Sequence, residues 1–369
     1  MNPLLSLRRN GIKLAGVVGV TLVSLSANAL IVQPGGPGES LPTDLPLDAI
    51  GKWGNNAAAV AVAPGWVLTT RHQDVLNNPP DRNVVFDGVT YVADTDAQIT
   101  FGDNIDLRLV PIFENGEAAT LSSFVGIYDG TISPRTTTTV LVGFGPTIGE
   151  ADTDGFDWAG SLNANNGLNV GQNRINTTDT ISGGTYSGMS VLVADFDRDG
   201  TLGPNGAVEF EATASFGDSG GSWFVNDNGT WKVAGLTHAI EIDGDDDGIA
   251  STTNDDYDAQ AFYGQKIFAT DLTGFASDFI VTGDYNGNGL VDAADYTIWA
   301  DTFGSTLDLA ADGNGNGVVD AADYTIWADN FGSTLSDNFT SLAPVPEPGT
   351  SALVLSGLMW GLSRRRSRA

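Results

Sequence analysis

The chain has 369 residues, with 16 lysines and arginines against 46 acids, a formal charge of −30 and no cysteine. The missing thiols exclude disulfides, thiolate metal sites and a cysteine nucleophile. So acidic a chain also excludes tracking of a phosphate backbone, and no nucleic-acid partner is expected. Residues 1–29 read as a signal peptide: Arg8, Arg9 and Lys13 lead an apolar run, 14–25, that ends at Ala27-Asn28-Ala29. A basic start, a short apolar stretch and small residues at the cleavage point are what an export signal requires. Without the two ends the body holds 9 basic and 46 acidic residues, and 267–363 contains no Lys or Arg. Such a surface favours divalent cations.

From residue 50 to 275 the chain breaks into short β-like runs punctuated by Gly, Asn, Asp and Pro. They are 57–63, 66–70, 83–86, 107–113, 138–144, 190–194, 222–225, 231–237 and 265–270. Many short strands with no long helical period predict an all-β barrel or sandwich.

Gly217-Asp218-Ser219-Gly220-Gly221, followed by the run 222–225, resembles the nucleophile loop of chymotrypsin-like serine proteases. Other pieces stand in that family's order. The run 63–72, ending in Arg71-His72, is similar to the strand that leads to the catalytic histidine. Asp106-Leu107-Arg108-Leu109 is similar to the strand opened by the catalytic aspartate, and 141–145 to the start of the second barrel. The resemblance implies two antiparallel six-stranded β-barrels over residues 30–280. It also implies a serine endopeptidase acting on a protein or peptide; the alternative is a non-catalytic cell-surface adhesion or scaffold-docking protein that uses the barrel as a binding module. Ser219 would be the nucleophile, His72 the base and Asp106 the group that orients it; Asp103, three residues earlier, is the competing carboxylate. The N–H groups of Gly217 and Ser219 would form the oxyanion hole. Asp218 would be structural, pairing in the family with a freed N-terminus; Ile31-Val32 lies near the expected spacing for one.

The residue types suit that chemistry. A serine hydroxyl needs a base within hydrogen-bond reach, and imidazole has the right basicity. A carboxylate behind the imidazole fixes its tautomer and stabilises the imidazolium, and paired backbone N–H groups stabilise the oxyanion. The chain has two histidines, His72 and His238, and only His72 precedes the aspartate. By resemblance Thr213, Thr237 and His238 line the specificity pocket. Thr213 stands where a trypsin pocket carries an aspartate, so cleavage after Lys or Arg is not expected. Glutamate-specific relatives use a histidine on this strand one position earlier, where this chain has Thr237. Arg71 before the histidine, and Gln73 and Ser215 in place of cysteines, depart from the family pattern.

Two acidic loops flank the nucleophile. Asp195, Asp197 and Asp199 have spacing suited to a calcium ion in the head, as does the loop 243–248. Neither continues to an acid at the twelfth position.

Residues 284–304 and 312–332 are a repeat with a period of 28, in which VDAADYTIWAD recurs unchanged. Each copy offers oxygens at loop positions 1, 3, 5, 7, 9 and 12 of a calcium loop. In the first these are Asp284, Asn286, Asn288, the carbonyl of Leu290, Asp292 and Asp295. In the second they are Asp312, Asn314, Asn316, the carbonyl of Val318, Asp320 and Asp323. Gly289 and Gly317 occupy position 6. A helix should follow each loop, burying Ile298, Trp299 and Phe303 in one copy and Ile326, Trp327 and Phe331 in the other. Residues 281–335 thus resemble a dockerin, which implies two Ca²⁺ ions and a cohesin-like partner. Asn at position 5 removes one charge from each loop relative to the commoner pattern. A spacer between head and surface is the alternative role.

After a linker, 336–344, residues 345–369 run from Pro346-Glu347-Pro348 through the apolar stretch 352–362 to Arg364, Arg365, Arg366 and Arg368. This resembles the PEP-CTERM sorting tail. It implies an exosortase-type processing enzyme, transient membrane anchoring, and export to the envelope or exterior of a Gram-negative-type bacterium. The Arg cluster would hold its end in the cytoplasm.

Overall fold

The computed structural model describes residues 30–339 apart from 34–39, 55–56, 74–81, 152–154, 160–166, 199–205 and 242–259. The signal peptide, the sorting tail, Asp199 and the acidic loop 243–248 lie outside the described residues.

In chain order the first strands are β1 (Ile31–Val32), β2 (Ile50–Trp53), β3 (Ala57–Ala63), β4 (Trp66–Thr69) and β5 (Asn83–Phe86). Then come β6 (Val89–Ala93), β7 (Ile99–Thr100), β8 (Arg108–Glu114), β9 (Glu117–Ala118) and β10 (Thr138–Gly143). Next are β11 (Thr147–Ala151), β12 (Gly155–Ala159), β13 (Asn169–Arg174), β14 (Thr177–Thr180) and β15 (Ser190–Asp195). The last are β16 (Ala212–Thr213), β17 (Ser222–Asp227), β18 (Thr230–Ile240), β19 (Gln260–Phe262) and β20 (Lys266–Asp271). The helices are α1 (Ala293–Thr302), α2 (Ala321–Asp329) and α3 (Leu335–Phe339).

The protein is mostly β. In the first sheet the order β4-β3-β2-β5-β6-β8 is closed by a β4–β8 pairing, which makes a six-stranded barrel, with β7 and β9 added along β8. Closure removes the unpaired edges that an open sheet would expose. Strand β3 is AAAVAVA and buried along its whole length. Small side chains let one face fill the barrel while the backbone on the other side meets the Ser219 loop, where Ala58 N–H donates to the Ser219 carbonyl (2.9 Å). The second sheet has seven strands in the order β13-β10-β17-β18-β20-β15-β14. Among the described residues no pairing joins its two end strands; Asn173 on β13 instead reaches the carbonyls of Asp195 and Ala212 with its side chain (both 2.8 Å).

The C-terminal repeats pack as a near-symmetric pair. Trp299 donates its indole N–H to the Asp320 carbonyl, and Trp327 donates to that of Asp292 (2.8 and 2.7 Å). Gly304 N–H meets Val319 O, and Gly332 N–H meets Val291 O (2.8 and 2.9 Å). None of the six expected core positions is fully buried: Ile298, Trp299, Ile326 and Trp327 are half-buried, and Phe303 and Phe331 are 57% and 58% exposed. Each phenylalanine follows the last helical turn rather than lying within it, so its ring falls back edge-on against Trp299 or Trp327 instead of entering the core.

The module is seated on the barrel. Leu335 and Phe339 of α3 are buried, and Phe339 meets Phe101 and Phe279 at ring centroids of 5.5 and 5.6 Å. The segment expected to begin a linker at 336 is therefore helical and packed through Phe339.

Candidate active site

Strands β4 and β8 pair antiparallel with Thr69 opposite Arg108. The residues just past β4 and just before β8 thus emerge at the same edge, which brings His72 to Asp106. Asp106 is fully buried. Its Oδ1 accepts the backbone N–H of Arg71 and of His72, each at 2.9 Å. Its Oδ2 accepts from His72 Nδ1 at 2.6 Å. On the other side of that ring, His72 Nε2 lies 2.7 Å from Ser219 Oγ. Asp103 does not share this place: its carbonyl accepts from Arg71 Nη1, which also donates to the carbonyls of Gly102 and Ile105.

Ser219 sits on the turn between β16 and β17, held to the first barrel through its carbonyl. That oxygen accepts from Ala58 N–H and from Gln73 Nε2 (2.9 and 3.0 Å). Gln73 also binds the hydroxyls of Thr69 and Thr70, tying the histidine loop to the serine loop. Gly220 has φ +77, and a Cβ there would lie 2.2 Å from the Ala58 carbonyl, so only glycine fits. Among the described residues no acceptor occupies the N–H of Gly217 or of Ser219.

Asp218 is buried and already satisfied. Its carboxylate accepts from Gly145 N–H, Ser215 N–H and Ser215 Oγ, each at 2.8 Å. Burial pushes its carboxyl up to about 6, against the pull of those donors. Ile31 is not at this carboxylate; it is a strand residue paired with Thr213. For Asp106 the balance is reversed. Burial disfavours its charge, but the hydrogen bonds of His238 and His72, with their charges, outweigh it and hold the carboxyl well below the usual range.

The three residues expected around the specificity pocket have distinct surroundings. Thr213 donates its hydroxyl to Gln265 Oε1, and Thr237 accepts from the indole of Trp223 (3.1 and 3.0 Å). His238 turns its Nδ1 to Asp106 Oδ2 at 2.5 Å and sets its ring edge-on to Tyr186. Tyr186, which no sequence pattern marked, has its hydroxyl pushed up to about 12 by burial and the nearby Asp106.

At the end of β15, Asp195 accepts a hydrogen bond from Asn176. Asp197 is pushed up to about 6 by burial and by Asp195. A third carboxyl, Glu211, which no spacing along the chain marked, accepts from the N–H groups of Val208 and Asp197. Burial raises it to about 8, with Asp197 and Asp195 adding to the shift.

The two repeat loops fold alike. In the first, Asp284 Oδ1 and Asn286 Oδ1 both accept from Asn288 N–H, and Asn288 Oδ1 accepts from Leu290 N–H. Asp312, Asn314, Asn316 and Val318 repeat these bonds in the second. Gly289 and Gly317 take φ +80 and +84, the left-handed turn their position demands. Asp292 and Asp320 cap α1 and α2, while Asp295 and Asp323 are fully buried. Burial, with Asp295 nearby, raises the carboxyl of Asp284. Buried carboxylates, amide oxygens and no basic residue in 267–363 form a donor set that fits Ca²⁺.

A family profile described as the PEP-CTERM protein-sorting motif matches residues 344–368. The motif marks an exported, envelope-associated protein of the Gram-negative type and implies processing by an exosortase-type enzyme. Among the described residues no helix is long and apolar enough to cross a membrane. No curated protein matches the chain. Among solved structures, an inactive form of a serine mutant of Rv3671c from M. tuberculosis H37Rv is similar to this chain with a TM-score of 0.37 and 14% identity, over 67% of this chain and 94% of that one.

Proposed function

We propose that this is an exported serine endopeptidase with the two-barrel, chymotrypsin-like arrangement, followed by a dockerin-like module that binds two Ca²⁺ ions. The observation that carries the reading is the continuous line from Ser219 Oγ to His72 Nε2 and from His72 Nδ1 to the buried Asp106. That is the geometry an activated hydroxyl requires.

In this reading Ser219 Oγ attacks the carbonyl carbon of the scissile peptide as its proton passes to His72 Nε2. Asp106 accepts from His72 Nδ1 and stabilises the imidazolium that forms. The N–H groups of Gly217 and Ser219 stabilise the oxyanion. Collapse of the intermediate breaks the C–N bond, and His72 returns the proton to the departing amine. Water, deprotonated by the same imidazole, then hydrolyses the acyl ester and restores Ser219.

In the module, Asp284, Asn286, Asn288, Asp292 and Asp295 would hold one Ca²⁺ with the carbonyl of Leu290. Asp312, Asn314, Asn316, Asp320 and Asp323 would hold the other with that of Val318. The ions supply positive charge that offsets carboxylates lacking a basic partner. A cohesin-like partner is the docking expectation, tested by pull-down. Asp195 and Asp197 are proposed for a further ion in the head, tested by whether Ca²⁺ raises the melting temperature of the β portion.

A fluorophosphonate probe tests the central reading. Labelling of the wild type and its loss in Ser219→Ala is the expected result. A folded wild type that never labels would overturn it.

A further inference from the structure

Both histidines of the chain deliver Nδ1 to one oxygen, Asp106 Oδ2, His72 at 2.6 Å and His238 at 2.5 Å. An ionised carboxylate only accepts, so both rings must carry the Nδ1 proton. Their centroids are 5.7 Å apart and the planes cross at 81°, which allows both to approach the same oxygen without stacking.

The placement of His238 is a backbone feature. Along β18 and β20, Thr237 pairs with Ala269 and Ala239 with Phe268, so His238 is the extra residue of a β-bulge. A bulge re-aims one side chain out of the strand's alternation. Here it turns His238 toward Asp106, and Tyr186 closes the far side of its ring at 5.3 Å. Thr237, one residue earlier, keeps the strand's inward direction and is buried against Trp223.

We propose that His238 is a positioning residue for the endopeptidase site, a second imidazole that holds Asp106 in place through the oxygen it shares with His72. The inference rests on the Ser219–His72–Asp106 reading for its catalytic consequence, but the shared hydrogen bond stands apart from it. The groups facing this centre are Asp106 and Arg108 at the opening of β8, Arg71 and His72 beyond β4, and Tyr186 before β15. Two imidazoles on Oδ2 and two backbone N–H groups on Oδ1 fix the rotation of the carboxylate, so the face it presents to His72 depends on His238.

The test uses the full chain with His238→Phe and His238→Gln. Fluorophosphonate labelling rates are measured across pH, and low-field imidazole N–H proton resonances are recorded. We expect His238→Phe to label at least about tenfold more slowly, because the orienting carboxylate loses a fixing donor. Glutamine can present an N–H to Oδ2, so His238→Gln should recover most of the rate. The wild type should show two low-field signals, one lost in His72→Ala and the other in His238→Phe. A wild-type rate in His238→Phe, equal loss in both variants, or a single low-field signal would each overturn the proposal. If the wild type does not label but both signals are present, the endopeptidase reading fails and the shared carboxylate stands.

Discussion

Asp106, buried in the head, and Asp284, half-buried in the C-terminal module, are satisfied in opposite ways. Asp106 meets four donors of the protein itself, two imidazoles and two backbone N–H groups, and is held ionised. Asp284 sits near Asp295 with only backbone donors, and its carboxyl is raised. A charge taken out of water needs an opposite charge or enough hydrogen bonds to replace the lost hydration. The head supplies these from its own chain, so its constellation is complete as folded. The module gathers oxygens without a basic partner, and in the proposed reading the positive charge would come from solution.

The comparison breaks most visibly at the head. Asp106→Asn keeps the shape but forces an N–H toward the imidazoles, and we expect activity to fall by about 10⁴-fold. Measured kcat/KM on a peptide substrate checks this; retention of activity would mean that the carboxylate does not orient His72. Next in size is the seam between the two regions. Phe339→Ala should cost about 3–5 kcal/mol and, in calorimetry, separate the module's melting from that of the barrel. A single unchanged transition would show that the module does not lean on Phe101 and Phe279.

Calcium removal sharpens the contrast. Chelation should lower the module's melting temperature and leave Ser219–His72–Asp106 intact. With Ca²⁺ at a hundred times its dissociation constant the module would gain about 2.7 kcal/mol per site. Identical melts with and without Ca²⁺ would remove the ions from the account.

The head has its own pH window. The folded carboxyl of Asp106 is depressed, so its contribution is present above the unfolded value of 3.8 and is lost as pH falls below it. That of Glu211 is raised from 4.5 to about 8, so its contribution is complete below 4.5 and is lost as pH rises through 8. Melting temperature should therefore decline from mildly acidic pH toward pH 8, and Glu211→Gln should flatten that decline. The smallest effect concerns the repeat. Trp327→Phe removes one indole bond to the Asp292 carbonyl and should cost about 1 kcal/mol, matched by Trp299→Phe if the two halves are equivalent.

Much of this architecture could be read locally. Strand β3 falls on the predicted residues, and β8, β10, β15 and β20 lie within a residue of them at each end, because β-branched and small apolar runs between turn residues leave few alternatives. The helices after each loop follow from Asp292 and Asp320 as caps with an acid three residues on. That His238 also reaches Asp106 could not be read from the chain, for a definite reason. Alternation along a strand assigns faces only while the register is unbroken, and the bulge that redirects this residue is created by β20, nearly thirty residues away. Glu211 escaped for a related reason: its partners Asp195 and Asp197 lie on another strand and its loop, and no spacing along the chain joins them.

The sequence by itself determined the short strands, the order of His72, Asp106 and Ser219, the two oxygen-rich loops and the acidic balance that calls for a cation. These depend on residue type and near spacing, which act within a few residues. The tertiary structure alone decided that one carboxylate serves both histidines, that Gln73 ties the serine loop to the histidine loop, and that α3 fastens the module to the barrel. Those outcomes depend on register between distant strands and on the packing of rings such as Phe101 and Phe339, which no local pattern encodes.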